Sequence, residues 1–387
     1  MPWKVDCLMS IRQEFVAFAG RPDANVAALC RRFQISRKTG YKWLNRCRSD
    51  PADALADRSR RPHASPGRTD AAVEQRLVDL RAQHRAWGAR KLKRRLADLL
   101  GHDELPARST CHGILLRRGL IDPARSADHA PHQRFERPRP NDLWQMDFKG
   151  HFATTDGARC HPLTVLDDHS RFNVVLLACV NEQRQTVQQA LIHAMRTYGR
   201  PWSILCDNGP PWGSFGADGN WTTLSAWLVR RGVDVAHGRP LHPQTQGKDE
   251  RFHRTLKAEV IGGGGTPPRA FRDTRHCQEA FDAWREVYNG QRPHEALGLA
   301  VPQSRYTPGA RTWTEALAPI EYGPDDAVRR VCRAGRVSFR GQAYRVGCAF
   351  AGEPVALRPA TEDGVMDVFY CHQRVAGIDL RSETESQ

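Results

Sequence analysis

Apolar positions in the first third of the chain recur at helical spacing. Val26, Leu29, Cys30 and Phe33 share one face of a short helix. Residues 34–36 form a tight link, with Ser36 suited to cap the next helix, RKTGYKWLNR (37–46). On that helix Tyr41 and Leu44 are expected to pack inward, with Trp43 at the edge. With a further helix before them, residues 8–48 read as three short helices. A helix, a short turn and a basic second helix make a helix-turn-helix, whose second helix enters the major groove of DNA. Arg37, Lys38, Thr39, Lys42 and Arg46 are the candidate DNA-facing residues. The alternative is a small bundle with a merely solvated basic face; spacing, cap and charge together favour DNA. A second helical unit follows. It has a cap at Thr69, a stripe of Val73, Leu77 and Leu80, a basic segment WGARKLKRRLADLLG (87–101) and a third helix within 106–121. It reads as a second DNA-binding helical module.

After the proline-rich stretch 122–140 the periodicity changes from helical to alternating. LWQMDFKGHF (143–152) puts Trp144, Met146 and Phe148 on one side and Gln145, Asp147 and Lys149 on the other. An Asp-Gly turn lies in TTDGAR, and two β-rich runs, 160–166 and 171–180, follow. A helix over 183–198, a strand at 202–206, a helix ending at Gly232 and a strand at 233–236 come next. Helices over 246–261 and 277–289 complete a mixed sheet flanked by helices. Residues 328–380 return to short strands, with turns at 340–342 and 362–364, and predict a small, barrel-like β domain. The architecture expected is therefore multidomain: all-α helix-turn-helix modules, an α/β core and a C-terminal β domain. The divisions are 1–50, a linker 51–68, the second module 69–121, a linker 122–140, the core 141–310 and the β domain with its tail, 325–387.

Charge sharpens this division. The chain has 387 residues and a net charge of +15. Residues 1–140 carry 29 Lys+Arg and 15 Asp+Glu, and the remainder 29 and 28, so +14 resides in the first third. A basic arm on a nearly neutral body suits a polyanion partner. No apolar run is long enough for a membrane span, and the start lacks the features of a secretory signal. The eleven cysteines are scattered with no CxxC pair, as expected of free thiols in a reducing cytoplasm.

Three acids stand at element ends or middles: Asp147 on the first strand, Asp207 after the strand 202–206, and Glu250 near a helix start. Each alone would more often be a cap, a turn residue or a solvated charge, and Asp167-Asp168 reads as such a turn. As a set they point to cations. Gathered carboxylates repel unless metal is bound, and hard oxygen donors suit Mg²⁺ or Mn²⁺. Two such ions can flank an in-line displacement at phosphorus. Lys248, His253, Arg254 and Lys257 surround Glu250, and the last three share its helix face, a candidate stripe for DNA phosphates.

WQMDF (144–148), VLDDHSRF (165–172), CDNG (206–209), HPQTQGKDERFHRTLK (242–257) and RPHEALG (292–298) together resemble the integrase-core transposases of bacterial insertion sequences. These are DDE-superfamily proteins with a ribonuclease H-like fold, and the likeness covers residues 8–310. It implies that Asp147, Asp207 and Glu250 are the metal-binding catalytic triad, Asp249 being a neighbour. It further implies a pair of Mg²⁺ or Mn²⁺ ions, cleavage at element ends, and transfer of a 3′-hydroxyl into target DNA. Terminal inverted repeats and target duplex would be the partners, with a homo-oligomer assembled on DNA in the bacterial cytoplasm, at the nucleoid. Two departures stand out. PPWGSFGADGNW (210–221) lengthens the Asp207–Glu250 interval, as an irregular insertion or a DNA contact. No His-His-Cys-Cys zinc module precedes the core. A ribonuclease H-like nuclease that cuts without joining and a non-catalytic DNA-binding relic are the competing functions.

Overall fold

Side-chain caps start the N-terminal helices where the sequence offers them. In the computed structural model, which describes residues 8–49, 55–57, 67–101, 105–121, 136–214, 221–238, 247–262 and 269–381, the chain divides after Arg68 into two units. The first holds α1 (Leu8–Ala19), α2 (Val26–Arg32) and α3 (Arg37–Ser49). Asn25 Oδ1 accepts from Ala28 N at 3.0 Å, and Ser36 Oγ from Thr39 N at 3.1 Å. Phe15, Cys30 and Leu44 form the buried core. Gly40 lies against them, so closely that an added Cβ would sit 2.5 Å from Cys30 Sγ. The inward face of α3 is thus Gly40, Trp43 and Leu44, at i, i+3 and i+4. That register turns Tyr41 outward (52% exposed) and buries Trp43, the reverse of the expected placement. Arg12, Lys42 and Arg46 pack on the Trp43 ring at 4.2, 4.5 and 5.0 Å.

The second unit opens with α4 (Ala71–Gln83), α5 (Ala89–Leu100) and α6 (Arg108–Arg117). Asp70, rather than Thr69, caps α4, accepting from Ala72 N at 2.7 Å. Leu77, Trp87, Leu92, Leu96, Ile114 and Leu115 fill the core of this bundle. Part of the basic surface of α5 faces the body that follows. Arg95 donates to Gln291 Oε1 at 3.1 Å, and Lys91, half-buried beside Arg292, is pushed down to about 8 by burial first.

The sheet comprises β1 (Leu143–Phe148), β2 (Phe152–Ala153), β3 (Arg159–Asp167), β4 (Asn173–Cys179), β5 (Ser203–Cys206) and β6 (Asp234–His237). Its main order is β4-β3-β1-β5-β6, with β2 extending β3 through the Asp156-Gly157 turn. β3 is antiparallel to β1 and β4, whereas β5 runs parallel to β1 and to β6. α7 (Arg184–Tyr198) and α8 (Thr223–Arg230) pack with Trp144, Met146 and Ile204; α9 (Gly247–Leu256) and α10 (Thr274–Gly290) pack with Leu166 and Leu176. Covered on both faces, β1 keeps even Gln145 fully buried. One π turn, Lys257–Ile261, prolongs α9 to Gly262. α10 begins at Thr274, earlier than the apolar run suggested, because Asp273 caps it by accepting from His276 N at 2.7 Å.

Residues 306–320 run along the sheet's far side, clasped by arginines that donate to backbone carbonyls: Arg200 to Thr312, Arg231 to Thr314, Arg230 to Ala318. The terminal domain has β7 (Ala327–Arg330), β8 (Arg336–Phe339), β9 (Gln342–Arg345), β10 (Pro354–Pro359), β11 (Val365–Tyr370) and β12 (Gln373–Asp379). Four strands pair in the order β12-β11-β10-β7, and β8–β9 is a separate hairpin. The Gln373 amide reproduces a ladder on the edge of β6, accepting from Val235 N at 2.9 Å and donating to Val235 O at 2.8 Å. The edge strand of the core is thereby covered.

Candidate active site

The two aspartates meet by register. Trp144 pairs with Ile204 and Gln145 with Leu205 across the parallel β1–β5 ladder. Carried forward, the same offset runs from Asp147 to Asp207, which directly follows β5, and the charge of Asp207 acts on the Asp147 carboxyl. They lie at the carboxyl ends of their strands, where open sheets bind ligands. Each carboxylate uses one oxygen to accept the next backbone N–H, Asp147 from Phe148 at 2.8 Å and Asp207 from Asn208 at 2.7 Å. Burial pushes the Asp147 carboxyl up to about 7, aided by the negative charges of Asp207, Glu182 and Glu250. Glu250 is exposed in the first turn of α9, within the electrostatic reach of Asp147. Among the described residues no three Asp, Glu, His or Cys side chains close to metal-ligand distance. The site therefore has two acids set by the ladder and a third beside them. Its donors are all hard carboxylate oxygens, which fit a divalent cation such as Mg²⁺ or Mn²⁺.

Hydrogen-bond bookkeeping reassigns His253. The one Thr164 hydroxyl proton goes to Asp147 O at 3.0 Å. His253 Nε2, 2.8 Å from the same oxygen, must then be the donor, so its unprotonated Nδ1 lies 3.9 Å from Asp147 Oδ2. Burial, with Lys149 nearby, pushes the imidazole down to about 3. A neutral, largely buried His253 is a support for Asp147 rather than a phosphate-facing cation.

Lys248 also turns inward, forming an ion pair with buried Asp168. Asp168 accepts as well from Gln145 Nε2 at 2.7 Å and Arg137 N at 2.8 Å. This polar knot ties the start of α9 to β1 and to the turn after β3. Lys248 is pushed down to about 8, by burial first and by Arg171. Asp167, expected as a simple turn residue, accepts from Ser170 N, Ser170 Oγ and Asn141 N within 2.6–2.8 Å. Asp249 is fully buried, and neither oxygen has a hydrogen-bond partner among the described residues. Burial and the charges of Asp147 and Asp168 hold its carboxyl well above the usual range.

Of the residues read as DNA-facing, Arg254 is exposed on α9 and Lys257 at the start of the π turn that prolongs it, as are Arg37, Lys38 and Lys42 on α3. Thr39 is engaged in the α3 cap, its Oγ1 2.9 Å from Ser36 Oγ. Arg46 is half-buried, lying on Trp43 and 3.4 Å from Ala56 O. In the 210–221 insertion, 215–220 lie outside the described residues; Trp212 is buried and stacks on Phe148 at 5.2 Å, on the face of β1 opposite to Asp147.

Domain-family models match the chain in tandem. Helix-turn-helix and homeodomain-like models cover 12–63 and 39–115, and integrase core models cover 137–243 and 231–302. The model of the IS481 family transposase C-terminal domain covers 326–386. The chain thus carries helix-turn-helix, integrase core and IS481 family transposase C-terminal domains. It is 26% identical over 262 residues to the "Insertion element IS407 uncharacterized 31.7 kDa protein" of Burkholderia multivorans, covering 67% of this chain and 88% of that protein. It is 28% identical over 251 residues to the "Insertion element IS476 uncharacterized 39.2 kDa protein" of Xanthomonas euvesicatoria, covering 62% and 66%. Among solved structures, an intasome of simian T-cell lymphotropic virus in complex with a PP2A regulatory subunit is similar over 78% of this chain and 94% of that chain, with TM-score 0.38 and 14% identity. The regions matched by the integrase core models contain Asp147, Asp207 and Glu250. No described helix is long and apolar enough to cross a membrane.

Proposed function

We propose that this chain is a DDE transposase that cuts DNA at element ends and joins the freed 3′-hydroxyl to target DNA, acting as a homo-oligomer on DNA at the bacterial nucleoid. What supports this reading is the placement of Asp147 near the end of β1 and of Asp207 just after the adjacent, parallel β5, in a region matched by integrase core models and preceded by helix-turn-helix and homeodomain-like models. Asp147, Asp207 and Glu250 would hold one or two divalent ions. Bound there, the metal supplies an activated oxygen nucleophile and charge stabilisation at phosphorus. The protein's own contribution is positional. Phe148 N and Asn208 N orient the two aspartates so that each keeps an oxygen free. Thr164 and His253 brace Asp147, and Trp212 stacks on Phe148 on the other face of β1. Lys248 locks α9 to Asp168, so that Glu250, Arg254 and Lys257 face solvent where a phosphate backbone would pass. α3 offers Arg37, Lys38 and Lys42 for reading the element end.

Integration of a marked donor, bearing the DNA that flanks this gene, into a target plasmid tests the proposal. Joined product is expected with wild type and Mg²⁺, and none with chelator or with Asp207→Asn. Nicks without joining would put a nuclease in its place. Specific end binding with neither product would leave a DNA-binding relic.

A further inference from the structure

Glu136 and Arg137 lead from the second helical module into the core, and they are stapled to the turn between β3 and β4. Glu136 accepts from Arg171 Nη2 at 3.3 Å and from Arg305 Nη2 at 3.0 Å. His169 Nδ1 donates to Arg137 O at 2.9 Å, which leaves its Nε2 to accept from Arg305 Nη2 at 3.2 Å. Arg137 N donates to Asp168 Oδ2 at 2.8 Å. Asp168 itself is only 1% exposed, so its charge requires a compensating partner.

That partner comes from a distant segment. Asp168 Oδ1 accepts from Gln145 Nε2 at 2.7 Å, in the middle of β1, and from Lys248 Nζ in the first turn of α9. Lys248 also reaches the Asp168 backbone carbonyl, at 3.4 Å. One buried carboxylate thus joins the entry segment, β1 and α9. The next turn of α9 is held by other groups, His253 by Thr164 at 2.8 Å and Phe252 by the rings of Trp284 and Tyr288. In the first turn, Asp249 is buried yet accepts no hydrogen bond among the described residues. The Lys248–Asp168 pair is therefore the polar grip that sets the rotation of this turn, and Glu250 lies two residues on. A shift of the Asp168 carboxylate is felt at both ends, because Arg137 N and Lys248 Nζ share it.

We propose that Asp168 is a positioning residue that couples the seat of residues 136–137 to the seat of Glu250. Release of the entry segment, as when the module before it shifts on DNA, then loosens the first turn of α9 and with it the third acid. The consequence for metal holding rests on the reading of Glu250 as a ligand; the mechanical link between the two segments stands without it.

Two readouts on the full chain test the coupling: Mn²⁺ affinity by calorimetry, and hydrogen exchange of the α9 amides in chelator. Lys248→Met is expected to lower Mn²⁺ affinity about tenfold, as for other groups that orient a metal ligand, and to speed exchange at residues 251–254. Lys248→Arg, which keeps the ion pair, is expected to recover most of both. Glu136→Gln touches none of the three acids, yet it is expected to weaken Mn²⁺ about threefold and to speed the same amides. Added to Lys248→Met it should change almost nothing, because the link is already cut. Exchange in α7 and α8 is expected to stay at the wild-type rate, which a general loss of stability would not allow. Full additivity of the two substitutions overturns the coupling, as does wild-type exchange of α9 in Glu136→Gln. If Lys248→Met does not fold, α9 exchange in Glu136→Gln decides alone. A Glu250→Gln chain that binds Mn²⁺ like wild type would sink the triad, while α9 exchange in chelator would still judge the coupling.

Discussion

Replacing Asp249 by Val should stabilise the protein, although the residue adjoins Glu250, proposed above as a metal ligand. The Asp249 side chain is fully buried, and neither oxygen is hydrogen-bonded among the described residues. A buried polar group without partners costs about 1–3 kcal/mol even when neutral. Valine fills the same volume without that penalty, so the gain near pH 5 should be about 1–3 kcal/mol. The pH dependence follows from the raised native pKa. An unfolded aspartate ionises near 3.9, whereas the native one keeps its proton well above that. Between these values the native state holds a proton that the unfolded chain has lost, so wild-type stability falls as pH rises. Valine has no such slope. The gap between the two proteins should widen by up to about 1.4 kcal/mol per pH unit from pH 5 to pH 7. Calorimetry of both full chains in chelator at pH 5, 6 and 7, with Asp249→Asn as a neutral isostere, checks this. A valine variant less stable than wild type at pH 7, or a gap that ignores pH, would show Asp249 to be ionised and compensated, and the argument would fail.

Two further outcomes follow from the same structure. Gly40→Ala should destabilise the N-terminal unit by about 1–2 kcal/mol, because overpacking against Cys30 Sγ and Phe15 Cζ, 2.5 and 2.9 Å from the new Cβ, outweighs the gain in helix propensity; an unchanged or higher melting temperature of the full chain would refute the close crossing. Mn²⁺ affinity, measured by calorimetry, should rise about tenfold per pH unit up to pH 7 and then level off, because the ion must displace the proton that Asp147 holds up to about 7; a flat profile would remove the raised carboxyl from the ion's site.

The elements were legible because their periods were clean. The alternation in 143–148 and the 3.6-residue stripe in 183–198 appear as β1 and α7 almost residue for residue. What escaped were relations between distant segments. Tyr41 and Trp43 exchanged roles because the close approach at Gly40 sets the rotation of α3, and nothing local announces which helix a glycine will meet. Lys248 and His253 read as DNA-facing because the stripe counts charge along one helix. Asp168 and Thr164, about 80–90 positions away, are what pull them inward. Asp147 and Asp207 were visible as acids at strand ends, yet their adjacency depends on the β1–β5 register, which no single segment contains.

Charge organises the functional reading more than the net figure suggests. The sum of +1 after residue 140 averages an acidic site and an arginine face that lie in different domains. Within the core, Lys248 is engaged by Asp168 and Arg292 by Glu259 at 3.0 Å. With Lys248 held in that internal pair, the carboxylates of Asp147, Asp207 and Glu250 would be left to attract a mobile cation. Arg329, Arg330, Arg333, Arg336 and Arg340 of β7–β9 stand exposed instead. The first arrangement suits a divalent ion and the second a polyanion.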